Sequence, residues 1–250
     1  MWKRVVILKR PRLSRPILLV SVSTSLPQYR ALYSQAKELA NYLIKLLKFE
    51  QFATFYSSAL PPAVTIRQDG TSRLVADHYY HYKGDRDIIL FAGDGSPADE
   101  QYEFANEVLN FAKKIGVSEI YSVGARWAEP LSSPLDVPKI HGFATDSAGV
   151  EELRANGVEI VKDEPAPFFA NLIVGLAGLA RMRGYKISVN HGEPLPHPKS
   201  TAQLIGVLSK MLHFDVDRSE LETLAKQLPS MIQQPGHEPE SQTEGQDIYH

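Results

Sequence analysis

Gly93-Asp94-Gly95-Ser96-Pro97 follows the apolar run Ile88 to Ala92 and leads into an amphipathic stretch from about Asp99 to Ile115. A buried strand, a tight polar turn and a helix N-terminus can cradle a phosphate on backbone amides. The stretch lacks the Lys-Ser/Thr of a Walker loop and the spacing of a dinucleotide fingerprint. Asp94 and Asp99 would also set negative charge beside any anion, so the plainer reading is a structural turn. Gly124 and Arg126 follow a second candidate strand, Glu119 to Val123, and His191 follows the last one, Lys186 to Asn190. If these runs are parallel strands, Gly93, Asp94, Gly124, Arg126 and His191 gather at their carboxyl ends, where open α/β sheets bind ligands. Arg126 is the well-placed cation of the set, and its plainer role is a loop salt bridge. An enzyme or small-molecule sensor built on this pocket is the alternative reading of the chain; a closed, filled strand-end crevice would end it.

Other chemistries find less material. His191-Gly192-Glu193-Pro194-Leu195-Pro196-His197 offers two imidazoles and a carboxylate, but the prolines hold an extended loop and no zinc-type spacing is matched. His78 and His81 fall on opposite faces of a strand, which disfavours joint ligation. Ser96 precedes Pro97, so there is no G-x-S-x-G elbow and no oxyanion amide after the hydroxyl. The chain has no cysteine, which removes thiolate nucleophiles, disulfides and cysteine-ligated metals together. No catalytic residue, metal or cofactor is therefore expected.

The elements that must position these residues read in order. Strands are predicted over Pro16–Val22, Gln51–Tyr56, Ile88–Ala92, Glu119–Val123, Lys139–Thr145, Gly157–Ile160 and Lys186–Asn190, with a long loop beginning at Gly124. Helices are predicted over Tyr29–Leu47, Asp99–Ile115, from Asp146 or Ser147 to Ala155, over Asn171–Arg183 and Lys199–Leu212, and from a capping box at Asp217. Ala63–Ile66 and Leu74–Tyr82, joined through Asp69-Gly70, look like one hairpin. Its second arm, with polar-tipped rings on both faces, could lie at an interface or at the mouth of a cleft, and the plainer reading is a half-exposed edge strand. Gly175 and Gly178, inside a helix, point to close packing there. The alternation of strand and helix gives a three-layer α/β sandwich with a mostly parallel central sheet, one domain over residues 1–232.

A formal net charge of -2 argues against a nucleic-acid footprint, and no window approaches the ~18 apolar residues of a membrane span. The apolar run at Val5–Leu8 is too short for a secretory core, so a cytoplasmic protein is the default. Residues 233–250 differ in kind: an acidic, Gln- and Pro-rich flexible tail that ends in Ile248-Tyr249-His250. A solvating tail has no internal use for that aliphatic and aromatic pair, which points to a partner outside the chain.

Several segments, in this order and spacing, resemble the archaeal and bacterial relatives of the proteasome assembly chaperone 2 family. They are Tyr102-Glu103-Phe104-Ala105 through Phe111 to Val117, Val137 to Asp146, Gly175-Leu176-Ala177-Gly178-Leu179 with Arg183-Gly184, and Ser200 to Leu228. The family's early glycine-rich turn is replaced here by Ser21-Val22-Ser23-Thr24-Ser25. The resemblance implies a nucleoside-phosphorylase-like α/β fold without an established catalytic centre, and self-association into a homo-oligomer. It also implies a role for the tail. Ile248-Tyr249-His250 looks like the hydrophobic-tyrosine-any terminus that docks on proteasome α-subunits, its side chains filling a pocket between subunits and its carboxylate pairing with a lysine. An aromatic anchor with few rotors and a chain-end charge suit that use.

Overall fold

The computed structural model describes residues 1–22, 30–93, 95–127, 136–191, 197–215 and positions 217, 219 and 223, without the side chains of 30–34 and 191. In chain order the elements are β1 (Lys3–Ile7), β2 (Ile17–Val20), α1 (Arg30–Leu47), β3 (Glu50–Ser57), β4 (Val64–Ile66), β5 (Ser72–Leu74), β6 (Asp77–Tyr82), β7 (Ile88–Gly93) and α2 (Gln101–Lys114). There follow β8 (Glu119–Trp127), β9 (Ile140–Ala144), α3 (Ser147–Ala155), β10 (Glu159–Ile160), α4 (Phe169–Leu179), β11 (Arg183–His191) and α5 (Pro198–Leu212). One nine-stranded sheet runs β1-β3-β6-β7-β2-β8-β11-β9-β10, and β4 pairs with β5 apart from it.

The centre of the sheet is parallel, with Ile17 of β2 opposite both Ile88 of β7 and Glu119 of β8, and Arg183 of β11 opposite Glu119. On β2, Ile17 and Leu19 face one core while Leu18 and Val20 face the other. That is why the run shows no alternation: both faces are apolar because both are covered. One core is closed by α1, α3 and α5 through Leu39, Leu43, Leu153, Leu204 and Leu208. The other is closed by α2 and α4 through Phe104, Val108, Phe169 and Ile173. Each such side chain taken fully out of water contributes roughly 1.5–3 kcal/mol. The three layers are as expected.

The sheet is not mostly parallel, however. Beyond its parallel centre, β1, β3, β6 and β7 pair antiparallel in succession, and β9 runs antiparallel to β11. The physical reason is connection length. The link from β6 to β7 is too short for a crossover, so these neighbours must reverse. The second arm of the expected hairpin is not an edge strand either, and of its two readings the cleft mouth fits, since His78 and Tyr80 line a cavity. Asp69-Gly70 closes the short β4–β5 hairpin, and β6 is a separate strand held between β3 and β7. Tyr79 of β6 is fully buried, with its ring 4.7 Å from that of Phe91 and 4.6 Å from that of Phe111. The exposed edge is β1, a segment read from sequence only as an unusable leader. Gly93 permits the close approach of β6 and β7: a Cβ there would lie 2.4 Å from the Asp77 Cα.

Several polar ends inside the cores find partners, although among the described residues the Tyr79 hydroxyl makes no hydrogen bond. The stacked rings of Tyr121 and Tyr185, 4.4 Å apart, send their hydroxyls to Glu119 and Glu152. Buried Gln35 of α1 donates to Thr201 and accepts from the His197 amide, tying α1 to the start of α5. Asp146 caps α3 as expected, accepting from the Gly149 amide at 2.7 Å. At the expected last capping box, the Asp217 carboxylate accepts from the Ser219 amide, while Glu220 and the leucines after it lie outside the described residues.

The two glycines of α4 separate. A Cβ on Gly178 would meet Thr145 Cγ2 at 3.2 Å, whereas one on Gly175 would meet nothing within 4 Å, which corrects the expectation that both pack closely. Gly175→Ala should therefore raise the unfolding free energy by about 0.5–1 kcal/mol, the helix-propensity gain, while Gly178→Ala should fall short of it. Urea unfolding of the two variants side by side checks this.

Candidate functional site

The strand-end crevice expected from sequence is divided by the sheet into two cavities. On the α4 side, the carboxyl ends of β2, β8 and β11 open into a cavity of about 260 Å³. Gly124 and Arg126 line it, with Val22, Phe143, Lys186 and Ser188. On the α1 side, Gly93 lines a polar cavity of about 380 Å³ with Lys37, Asn41, Arg67, Arg73 and His78. Among the described residues the crevice is thus neither closed nor filled. Asp94 lies outside the described residues, as does the side chain of His191, whose backbone ends β11. The tail, with Ile248, Tyr249 and His250, lies outside them too.

Arg126 does not open a loop. It continues β8, opposite Asn190 of β11. Its guanidinium holds Glu164 at the cavity rim through two hydrogen bonds, of 2.5 and 3.1 Å. The Arg126 donors hold the Glu164 carboxyl below its ordinary value. The cation singled out from sequence is therefore committed to a carboxylate. The turn after β7 is also engaged, since the Gly95 amide donates to Asp77 Oδ1 at 3.3 Å. A buried carboxylate standing there is the wrong lining for a phosphate cradle. Helix α2 starts only at Gln101, with a left-handed Glu100 before it, so residues 98–100 separate it from the turn.

The residue that sequence reasoning missed is Lys186. Along β11, Tyr185, Ile187 and Val189 face the α1 core, which turns Lys186 and Ser188 to the α4 side. Lys186 is only 5% exposed, yet among the described residues it makes no hydrogen bond or ion pair. Its Nζ lies 3.9 Å from where a Gly124 Cβ would sit, which places the ammonium beside the end of β8. Burial alone pulls the Lys186 ammonium down from 10.5 to about 8. The sequence carried no signal for it: Lys186, Ser188 and Asn190 alternate with Ile187 and Val189, the pattern of a half-buried strand whose lysine faces water. Among the described residues no cluster of three or more His, Asp or Glu could hold a metal ion, and His197 serves as the cap of α5 through Nδ1.

Beside Lys186, α4 begins at Phe169 without a side-chain cap. Its first turn is fixed to β8 by the Ser122 hydroxyl, which donates to the Ala170 carbonyl. The cavity thus sets a buried ammonium and an uncapped helix N-terminus against apolar walls, an arrangement that can hold negative charge.

The PAC2 family model matches residues 36–234 of the chain. In fold the chain is similar to the Pyrococcus furiosus protein PbaB, an archaeal proteasome activator, with a TM-score of 0.80, 22% identity and coverage of 92% of this chain and 97% of that one. It is also similar to a Mycobacterium tuberculosis proteasome-assembly chaperone homologue, with a TM-score of 0.72, 18% identity and coverage of 89% and 96%. An uncharacterized Methanocaldococcus jannaschii protein is 23% identical over 203 residues, 78% of this chain and 75% of the relative.

The buried lysine has a signature in pH. Below about pH 8 the folded state keeps the Lys186 proton against burial, a cost on the order of 3 kcal/mol. Between about 8 and 10.5 the folded state releases that proton while the unfolded chain retains it, so stability gains with rising pH. Lys186→Met should therefore be more stable than wild type at pH 7, with a margin that narrows as pH rises through that window. Paired denaturation series across the window measure it.

Proposed function

Because the chain belongs to the PAC2 family, we propose that it is a non-catalytic, ATP-independent proteasome-binding protein, an assembly chaperone or regulator of the core particle. The observation that carries this reading is the likeness in fold to PbaB over nearly the whole of both chains. The likeness to a proteasome-assembly chaperone homologue supports it from a second side. The expected nucleoside-phosphorylase-like description of the fold stays part of this proposal.

In a chain that ends at His250, the working end is Ile248-Tyr249-His250. Ile248 and Tyr249 would fill an apolar pocket between neighbouring proteasome α-subunits, and the carboxylate of His250 would pair with a lysine at its rim. The segment from Pro235 to His250 is polar enough to act as an arm, with a root-mean-square reach of roughly 20–25 Å. One arm binds weakly, because ordering it costs entropy. Several arms on a homo-oligomer gain from effective concentration, so self-association is part of the same reading. Val64, Ile66 and Leu74 share an exposed face of the β4–β5 hairpin, an apolar patch of the kind that supports such contacts. A proteasome partner makes the cytoplasm the compartment of action.

Removing Ile248 to His250 should abolish capture of proteasome α-subunits by the full-length protein while leaving its circular dichroism unchanged. Tyr249→Ala should weaken capture at least tenfold, as the loss of about 1.4 kcal/mol or more of anchor energy requires. Undiminished capture after the deletion would rule out docking through the tail.

A further inference from the structure

We propose that the cavity between β8, β11 and the start of α4 is a binding site for a small organic carboxylate with an apolar body, whose charged end meets Lys186 Nζ. The site is independent of the tail, so it stands or falls apart from the proteasome reading.

Three features of the cavity select this ligand. The first is charge. Lys186 is 5% exposed, faces the cavity, and among the described residues has no acceptor or counter-ion. An ammonium so placed gains from an anion more than one already paired, because little water competes for it. The second is the helix. Phe168 is the N-cap of α4 and carries no side-chain cap bond, and the Asn171 and Leu172 amides bond back to its carbonyl. The Phe169 and Ala170 amides precede the first helical hydrogen bond, and with the dipole they favour negative charge beside Ala170 at the cavity wall. The third is shape. Val22, Val123, Phe143, Pro167 and Phe168 supply apolar walls, and about 260 Å³ suits a compact ligand. Glu164, the carboxylate at the rim, is held by Arg126 and so repels an incoming anion less.

The apolar walls favour a carboxylate over inorganic phosphate, whose oxygens need donors on every side. A bound carboxylate also stabilises the protonated lysine, so binding above pH 8 takes up a proton.

The test uses the full-length chain, labelled with nitrogen-15 and titrated with sodium benzoate and, separately, with inorganic phosphate. Benzoate should give saturable amide shifts at Gly124, Phe169 and Ala170, and phosphate much weaker ones. In Lys186→Met, a variant expected to fold at least as well as wild type, the benzoate dissociation constant should rise at least tenfold. Calorimetry at pH 9 in two buffers of different ionisation enthalpy should show proton uptake by wild type and none by the variant. Absence of saturable benzoate shifts, or equal shifts in Lys186→Met, would overturn the site. Phosphate binding tighter than benzoate at the same amides would overturn the carboxylate assignment.

Discussion

Every side chain of β2 and β7 from Ile17 to Val20 and from Ile88 to Phe91 is removed from water, alternate ones to opposite faces. A sheet centre of that kind is stable only if both faces are covered, and the rest of the molecule follows from that requirement. Helices α1, α3 and α5 cover one face, and α2 and α4 cover the other. Two helical layers over a parallel centre leave the carboxyl ends of the strands as the natural place for a cavity. They also make any polar residue on a central strand costly unless something outside the sheet receives it. Lys186 is such a residue, and the cavity beside it is where the packing of α4 stops short of the strand ends.

The same constraint explains which sequence readings held. Runs with no alternation, Ile88 to Ala92 above all, gave the buried strands, because covering both faces removes the period that would mark one of them. The helices over 30–47, 101–114 and 198–212 came from their apolar spacing, that over 147–155 from its capping residue, and all lie within a few residues of expectation. Strand direction had no such signal. Periodicity is the same for parallel and antiparallel partners, so the antiparallel flank β1-β3-β6 had to be learned from the structure. The rings of His78, Tyr79, Tyr80, His81 and Tyr82 hid the burial of β6, since tyrosine and histidine suit an interface as well as an interior.

For the candidate site, the location was legible and its chemistry was not. Gly124 and Arg126 do meet at one cavity, but Arg126 is spent on Glu164, and Gly93 belongs to the opposite face of the sheet. In the turn after β7 the Gly95 amide is spent on the Asp77 carboxylate, which leaves it no use as a phosphate donor. Lys186 escaped notice because the cost of a buried charge depends on what surrounds it, and a strand sequence does not record whether its second face is covered.

The sandwich supplies a lysine-lined cavity, and in the proposed role the segment ending in Ile248-Tyr249-His250 would supply the contact with the partner. The central claim is that contact. A cryo-electron microscopy reconstruction of the full-length protein with the proteasome core particle tests it most directly. The account predicts density for Ile248-Tyr249-His250 in pockets between neighbouring α-subunits, with Tyr249 buried and the terminal carboxylate beside a lysine. A complex held by the sandwich alone, with those pockets empty, would contradict it.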